Sequence, residues 1–388
     1  MSMNPVPEIS PARARVSPAG RLRDFWQRVS EGRQIDDLWS QFAADARASY
    51  GFYGHDVDWD EIRLLPRWRR PLHVAKQFFW ALLLKLSPAR RVLLLAAFVL
   101  LAISGPKFQF AKNGSGVAFD FNFETVAALL FLLLLSLELA DKVTMKRDLE
   151  IAREIQTWLV PSQAPEVAGA DIAFATRPQN SVAGDYYDAF YPNPEERERL
   201  LVVIADVAGK SVPAALLMAT LQASLRSIAG EVAPLAGLVA RLNRYASAHS
   251  LDGRRFTTAV ICEYNPQSRR LTYVNAGHNA PILRRANGGL EILDVGGLPL
   301  GIQPDVHYET ASVELKPGDA LIFFTDGVIE AFNEAGEEFG NERWLGGIRN
   351  LPDWKAQETL QFLMSRVDDF VGATRQSDDI TCLVFRSR

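Results

Sequence analysis

The chain has 388 residues and a formal net charge of −4 at pH 7, long enough for two or three units including one large core. The slightly acidic balance excludes a broad basic surface of the kind that binds nucleic acid. Cys262 and Cys382, the two cysteines, both sit in apolar runs; this excludes a disulfide framework, fits a reducing compartment and leaves no zinc-type Cys/His spacing.

Residues 1–20 lack the apolar core of a signal peptide and read as a disordered tail containing Pro and Arg. Residues 21–90 carry scattered Trp and Phe. Within them "DDLWSQFAADARASY" reads as a helix with Asp36 or Asp37 as N-cap, which predicts a small helical region.

Residues 91–140 hold the most apolar stretches, "VLLLAAFVLLAIS" (92–104) and "VAALLFLLLLSLELA" (126–140). At 1.5 Å per residue they cover about 20 and 23 Å, against roughly 30 Å of bilayer hydrocarbon. Length alone favours buried core helices. Three features favour a transmembrane hairpin. The runs are apolar on all faces. Phe108, Phe110, Phe119, Phe121 and Phe123 between them extend both spans into an aromatic interface. Arg67, Arg69, Arg70, Lys76, Lys85, Arg90 and Arg91 precede the first run, and Lys142, Lys146 and Arg147 follow the second. The connecting loop carries Lys107 and Lys112, offset by Asp120 and Glu124. By the positive-inside rule both termini then face the cytoplasm. An interfacial or re-entrant pair and a soluble core remain the alternatives.

Residues 141–160 read as a linker helix. Met145, Leu149, Ala152, Ile155 and Leu159 keep a three- and four-residue spacing, and Pro161 ends it. The stripe suits either a packed strut or a dimeric coiled coil.

From 165 to 388 the pattern turns to strands: "DIAFATR", "LLVVIAD", "FTTAVICEY", "RLTYVNAG", "ETASVEL", "ALIFFTD" and "ITCLVFR". Helical stretches intervene at 212–229, 234–249 and 355–371. Consecutive strands without helices between them predict an α+β domain of layered antiparallel sheets, not βαβ winding.

Several of these strands meet an acid at one end: Asp206 closes "LLVVIAD", Asp326 follows "LIFF", and Asp378 and Asp379 precede "ITCLVF". Gly327 behind Asp326 predicts a sharp turn. Asp185 and Asp188 lie in "AGDYYDAF". Any one of them is ordinary turn chemistry. Together at one place they would repel. Two carboxylates about 5 Å apart cost roughly 3 kcal/mol at an effective dielectric of 20. They would then protonate or share cations, and oxygen donors without His or Cys suit Mg²⁺ or Mn²⁺. Strand–"GKS"–helix at 200–228 imitates a phosphate-binding loop. However, Ile204 stands where that motif needs its first Gly, and Asp206 would put a negative charge in the anion cradle. His278 in "NAGHNAP" is read as shaping a turn, with a proton donor to a leaving oxygen as the other reading. "GGLPLG" is read as a turn.

The ordered blocks "VAGDYYDAF", "VIADVAGKSVPAALLMA", "FTTAVICEYN", "LTYVNAGHNAP", "GGLPLGI", "LIFFTDGVIEA" and "SDDIT" resemble the bacterial metal-dependent serine/threonine phosphatases of the SpoIIE/RsbU type (PPM superfamily), over about 148–386. The preceding "EIAREIQTWLVP" resembles that family's linker. The resemblance implies a central antiparallel β-sandwich flanked by helices, with two Mn²⁺ or Mg²⁺ ions at the strand ends. Carried over by position, Asp206 bridges the metals and the Val207 carbonyl is a further ligand. Asp326 and Asp378 hold one ion, and Asp185 reaches the cluster directly or through water. Asp188 and Asp379 are further candidates, the latter at a place often held by Asn. Ala183 and Ser211 stand where the family usually has Gly. The implied activity is hydrolysis of phosphoserine or phosphothreonine in a protein, such as an anti-sigma-factor antagonist. The implied setting is the bacterial inner membrane, with the linker helix as regulator and as a route to a homodimer. The alternative is a catalytically silent domain of the same fold.

Overall fold

The computed structural model describes residue 66 and residues 70–103, 122–231, 234–250 and 255–388. The tail at 1–20, the helix expected within 36–50 and the Phe-rich connection at 108–121 lie outside the described residues. The chain divides into two units, 1–140 and 141–388.

In the first unit, α1 (Arg70–Lys85), α2 (Pro88–Ile103) and the start of α3 (Phe123–Leu159) are helical. The helices α2 and α3 run antiparallel. Arg90 Nη1 donates to Glu138 Oε1 at 2.8 Å, and the Phe98 and Phe131 rings meet edge-on at 5.4 Å. Ala97 and Ala127 are fully buried, which suits close approach of helices. The outer faces present Val92, Val99, Leu129, Leu132 and Leu135 to the surroundings. Of the described helices, only α3 is long and apolar enough to cross a membrane, with a mean hydropathy of 2.1 over its best window. The helix α2 has 16 residues. The boundary expected between the second apolar run and the linker is no break: one helix of 37 residues carries both.

The second unit holds two sheets. One has the order β1 (Ala170–Arg177), β11 (Ile380–Ser387), β10 (Ala320–Phe324), β6 (Ile282–Arg284), β7 (Leu290–Ile292). The other has β2 (Tyr186–Phe190), β3 (Leu200–Val207), β4 (Thr257–Asn265), β5 (Arg270–Ala276), β8 (Gly296–Gly297), with β9 (Ala311–Glu314) also on β5. Every pairing is antiparallel except that of β5 with β8. The expected layered antiparallel α+β architecture is therefore observed.

Period-two alternation explains how the layers form. In β3, Leu201, Val203 and Ala205 pack against α4 (Ser211–Ile228) and α5 (Leu235–Ala248). Leu200, Val202 and Ile204 point the other way, into the space between the sheets, where they meet Phe323, Leu383 and Phe385. Each such side chain contributes about 1.5–3 kcal/mol on burial. On the outer face of the other sheet, Ile322, Phe324, Cys382 and Val384 pack against α7 (Gly340–Arg349) and α8 (Ala356–Val371). Both cysteines are free and buried.

The short strands β6, β7 and β8 and the helices α6 (Asp326–Ile329) and α7 were not expected. Elements of two to four residues carry no readable period, and the Gly346–Gly347 pair inside α7 hides its helical pattern. Strand β2 was also missed, because Asp188 interrupts its apolar pattern.

Ser211 takes φ 64°, in the left-handed region that costs a non-glycine residue about 1–2 kcal/mol. That is the physical reason a Gly suits this position. Ser211→Gly is expected to raise unfolding stability by about 1 kcal/mol, read from the urea midpoint at unchanged slope.

Candidate metal centre

Strand register carries acids from both sheets to one end of the sandwich. In the second sheet, β2 and β3 pair Tyr186 with Ala205, which sets Asp185 opposite Asp206; Asp206 in turn pairs with Thr258 of β4. In the first sheet, β10 and β11 pair Phe324 with Cys382, so Asp326 leaves β10 beside the point where Asp378 and Asp379 enter β11. Thr325 joins the two sheets. Its hydroxyl donates to Asp185 Oδ2 at 2.9 Å and accepts the Thr381 amide at 3.0 Å.

Burial and mutual repulsion act on Asp185, Asp206, Asp326 and Asp379. Burial, then the charges of Asp326, Asp378 and Asp379, push Asp206 up to about 7. Asp185 is raised well above the carboxylate range by burial and then by Asp206, against hydrogen bonds from Thr381 and Thr325. Asp326 is raised by burial and then by Asp378. Asp379 is raised by burial, against the Gln179 and Gly184 amides.

The remaining partners are distinct. Lys210 Nζ lies 2.9 Å from Asp378 Oδ2 and donates to the Ser377 carbonyl at 3.0 Å. Asp379 accepts the Gln179 and Gly184 amides, each at 2.7 Å, and so fastens the 179–184 loop to β11. Among the described residues no group of three or more Asp, Glu, His or Cys side chains is placed as it stands to hold a metal ion. Lys210 and the two amides occupy the Asp378 and Asp379 oxygens.

Two glycines permit the convergence. A Cβ on Gly184 would lie 3.3 Å from the Val207 carbonyl oxygen and 3.7 Å from Asp206 Oδ1, so Gly keeps both oxygens approachable. A Cβ on Gly327 would fall 2.0 Å from the Asp379 carbonyl. Gly327 is thus needed for close backbone approach where β10 gives way to α6, and it does so without a positive φ.

Asp188 lies apart from this cluster. It is buried on the helix side of β2, where Arg226 donates from Nη2 at 2.8 Å and Nε at 2.9 Å, and the Tyr186 hydroxyl donates at 2.7 Å. It clamps β2 to α4. His278 is buried too. Its Nδ1 is 2.8 Å from the Thr258 hydroxyl, its amide donates to Asn275 Oδ1 at 2.7 Å, and burial pushes its pKa down to about 4. The turn-shaping reading of His278 fits its burial and the two Asn275 side-chain hydrogen bonds that close the turn.

Two participants escaped the sequence reading. Lys210 was seen only as part of an imitation phosphate loop, although its place four residues after Asp206 was visible. Gln156 of α3 grips the backbone of Ala183 from both sides: its Oε1 accepts the amide at 2.9 Å and its Nε2 donates to the carbonyl at 2.7 Å. The linker helix therefore holds the loop that carries Asp185.

Residues 196–388 match the family described as Stage II sporulation protein E (SpoIIE). Phosphoserine phosphatase RsbU of Bacillus subtilis is 30% identical over 193 residues, covering 50% of this chain and 56% of that protein. The chain spans about half the length of the curated relatives it matches. The SiaA PP2C domain of Pseudomonas aeruginosa superposes with a TM-score of 0.56 at 22% identity, covering 64% of this chain and 99% of that one. The PP2C domain of SpoIIE from Bacillus subtilis gives 0.50 at 20% identity, covering 57% and 64%. These two likenesses show a PP2C-like fold. With the ordered motifs and the family match over 196–388, they lead to one conclusion: the C-terminal half of this chain belongs to the SpoIIE family of PP2C-type phosphatase domains.

Proposed function

We propose that the chain is a membrane-anchored, metal-dependent phosphatase acting on phosphoserine or phosphothreonine in a protein. The observation that carries this reading is the meeting of Asp185 and Asp206 from one sheet with Asp326 and Asp378 from the other, at a cost in burial and repulsion.

The donor set fits divalent cations of the hard type. It offers carboxylates and the approachable Val207 carbonyl, with no His or Cys. Asp206, with the Val207 carbonyl as a further ligand, would hold two Mn²⁺ or Mg²⁺ ions together with Asp326, Asp378 and Asp185. When bound, such ions supply an activated water and neutralise phosphoryl oxygens. The chain's own residues do the positioning. Asp379 fixes the 179–184 loop, Thr325 aims Asp185, and Gly184 leaves the approach open. Lys210 holds Asp378 and places an ammonium beside the acids, where it would face the phosphate of a bound substrate. Asp188 and His278 hold the scaffold.

The first unit is read as a membrane hairpin in the bacterial inner membrane, with both termini cytoplasmic. Its support is the apolar outer surface of α2 and α3 and the cationic flanks. The exposed seam Ile151, Ile155 and Trp158 on α3 supports pairing with a second copy. Gln156 would then couple helix position to the Asp185 loop. The named activity of RsbU and RsbP as phosphoserine phosphatases supports the substrate class, and a phosphorylated anti-sigma-factor antagonist or a similar regulator is the substrate we infer.

Asp326→Asn is expected to lower Mn²⁺-dependent hydrolysis of a phosphoprotein by more than about 100-fold; unchanged hydrolysis would leave the catalytically silent domain as the reading. Protons compete with cations for Asp206, which is held at about 7, so the Mn²⁺-induced rise in Tm should be larger at pH 8 than at pH 5.5. The increment is the readout because His278 shifts the baseline: with a pKa lowered from 6.5 to about 4, it contributes stability that falls as pH drops through that window. Gln156→Ala should lower kcat/KM by about 10-fold and weaken Mn²⁺ binding at unchanged circular dichroism. Equal kinetics and equal metal affinity would disconnect the linker from the site.

A further inference from the structure

The sheet that carries Asp326 and Asp378 at one end carries an arginine row at the other. Register aligns Arg284 of β6, Ala320 of β10, Arg386 of β11 and Asp171 of β1 across neighbouring strands. All therefore project from the same face. That face is the helix side, where Ile282, Ile322 and Val384 pack in the core beneath α7 and α8. Two guanidinium groups thus flank the small Ala320. Arg386 lies seven residues beyond Asp379 along β11, about 23 Å from the metal centre at the usual strand rise.

These arginines line a cleft of about 830 Å³ closed on one side by the α7–α8 connection. Their hydrogen bonding is incomplete. Arg386 is 3% exposed, and its Nη2 donates to Asp353 Oδ1 at 2.5 Å while Nη1 has no partner. Arg284 Nη2 donates to the Leu351 carbonyl at 2.6 Å while Nε has none. Asp171 does not answer Arg386: it accepts from the Ala356 amide at 2.9 Å and from Arg388 at 2.6 Å. Asp353 answers it weakly, since its own side chain is 92% exposed and solvent-screened. Burial and the Arg386 charge lower the Arg284 pKa from its ordinary value. An under-paired pair of like charges, Arg386 buried and Arg284 half-buried, is costly unless something supplies the missing acceptors.

We propose that this cleft is a second ligand site, distinct from the metal centre, that binds the phosphate group of a small phosphorylated molecule. A tetrahedral dianion offers several acceptor oxygens to the guanidinium groups of Arg284 and Arg386, which line the cleft. Lys355 adds a cation at the rim, and Trp354, 36% exposed, offers an indole face for the rest of the molecule. No residue of this set belongs to the metal centre, so the site would report on phosphorylated metabolites without competing with substrate.

The test is calorimetric titration of the full chain carrying Asp326→Asn, so that the metal centre contributes little phosphate binding. Inorganic phosphate should show one saturable site, and phenyl phosphate should bind at least as tightly. Adding Arg386→Met or Arg284→Met should weaken phosphate by at least about 10-fold. Asp353→Asn, at an exposed position that folding tolerates, removes the competing carboxylate and should tighten phosphate by about 3-fold at low salt. Absence of saturable binding below about 10 mM, equal affinity with and without Arg386, no tightening by Asp353→Asn, or weaker binding of phenyl phosphate than of phosphate would each overturn the proposal.

Discussion

Like charges forced together at one edge of a β-sandwich set the terms for the rest of the second unit. Asp185, Asp206, Asp326 and Asp379 are each pushed toward protonation by burial, and repulsion between neighbouring acids adds to it. Surrounding structure is arranged around that cost. Backbone amides of Gln179 and Gly184 take Asp379, the Thr325 hydroxyl takes one oxygen of Asp185, and Lys210 takes Asp378. Such compensation holds the acids in place, while burial and its acidic neighbours still push Asp206 up to about 7.

The scaffold that enforces this arrangement is rigid because each sheet is buried on both faces. The inter-sheet core fixes the spacing of β3 and β10, and the helix-facing cores fix their tilt. Interiors packed at crystal-like density cannot relax to separate the acids without losing contacts worth more than the repulsion. The same rigidity acts at the far end of the first sheet, where Arg284 and Arg386 are held side by side. One sheet thus bears an anionic edge and a cationic edge, both produced by strand register.

The linker segment of α3 touches the loop that carries Asp185. Gln156 touches the backbone immediately before Asp185, and this loop is fastened at its other side by Asp379. A shift of the helix has a direct mechanical path to one carboxylate of the cluster. The same helix continues without a break from the apolar segment at 126–140.

The alternation in Leu200–Val207 and Ile380–Ser387, the acids at their ends and the apolar runs at 92–104 and 126–140 were legible in the amino-acid order, because they depend on local period and composition. So was the list of acids, although local chemistry could not separate Asp188 from Asp185. Only tertiary structure decided that. The pleat sends neighbours at odd spacing to opposite faces, which turns Asp188 toward Arg226 while Asp185 faces Asp206. Likewise the partners of Lys210, Gln156 and Arg386 lie far away in sequence, and spacing carries no information about which distant backbone will arrive beside a side chain. Composition and period determined the layers and the candidates; strand register across two sheets decided which charges meet.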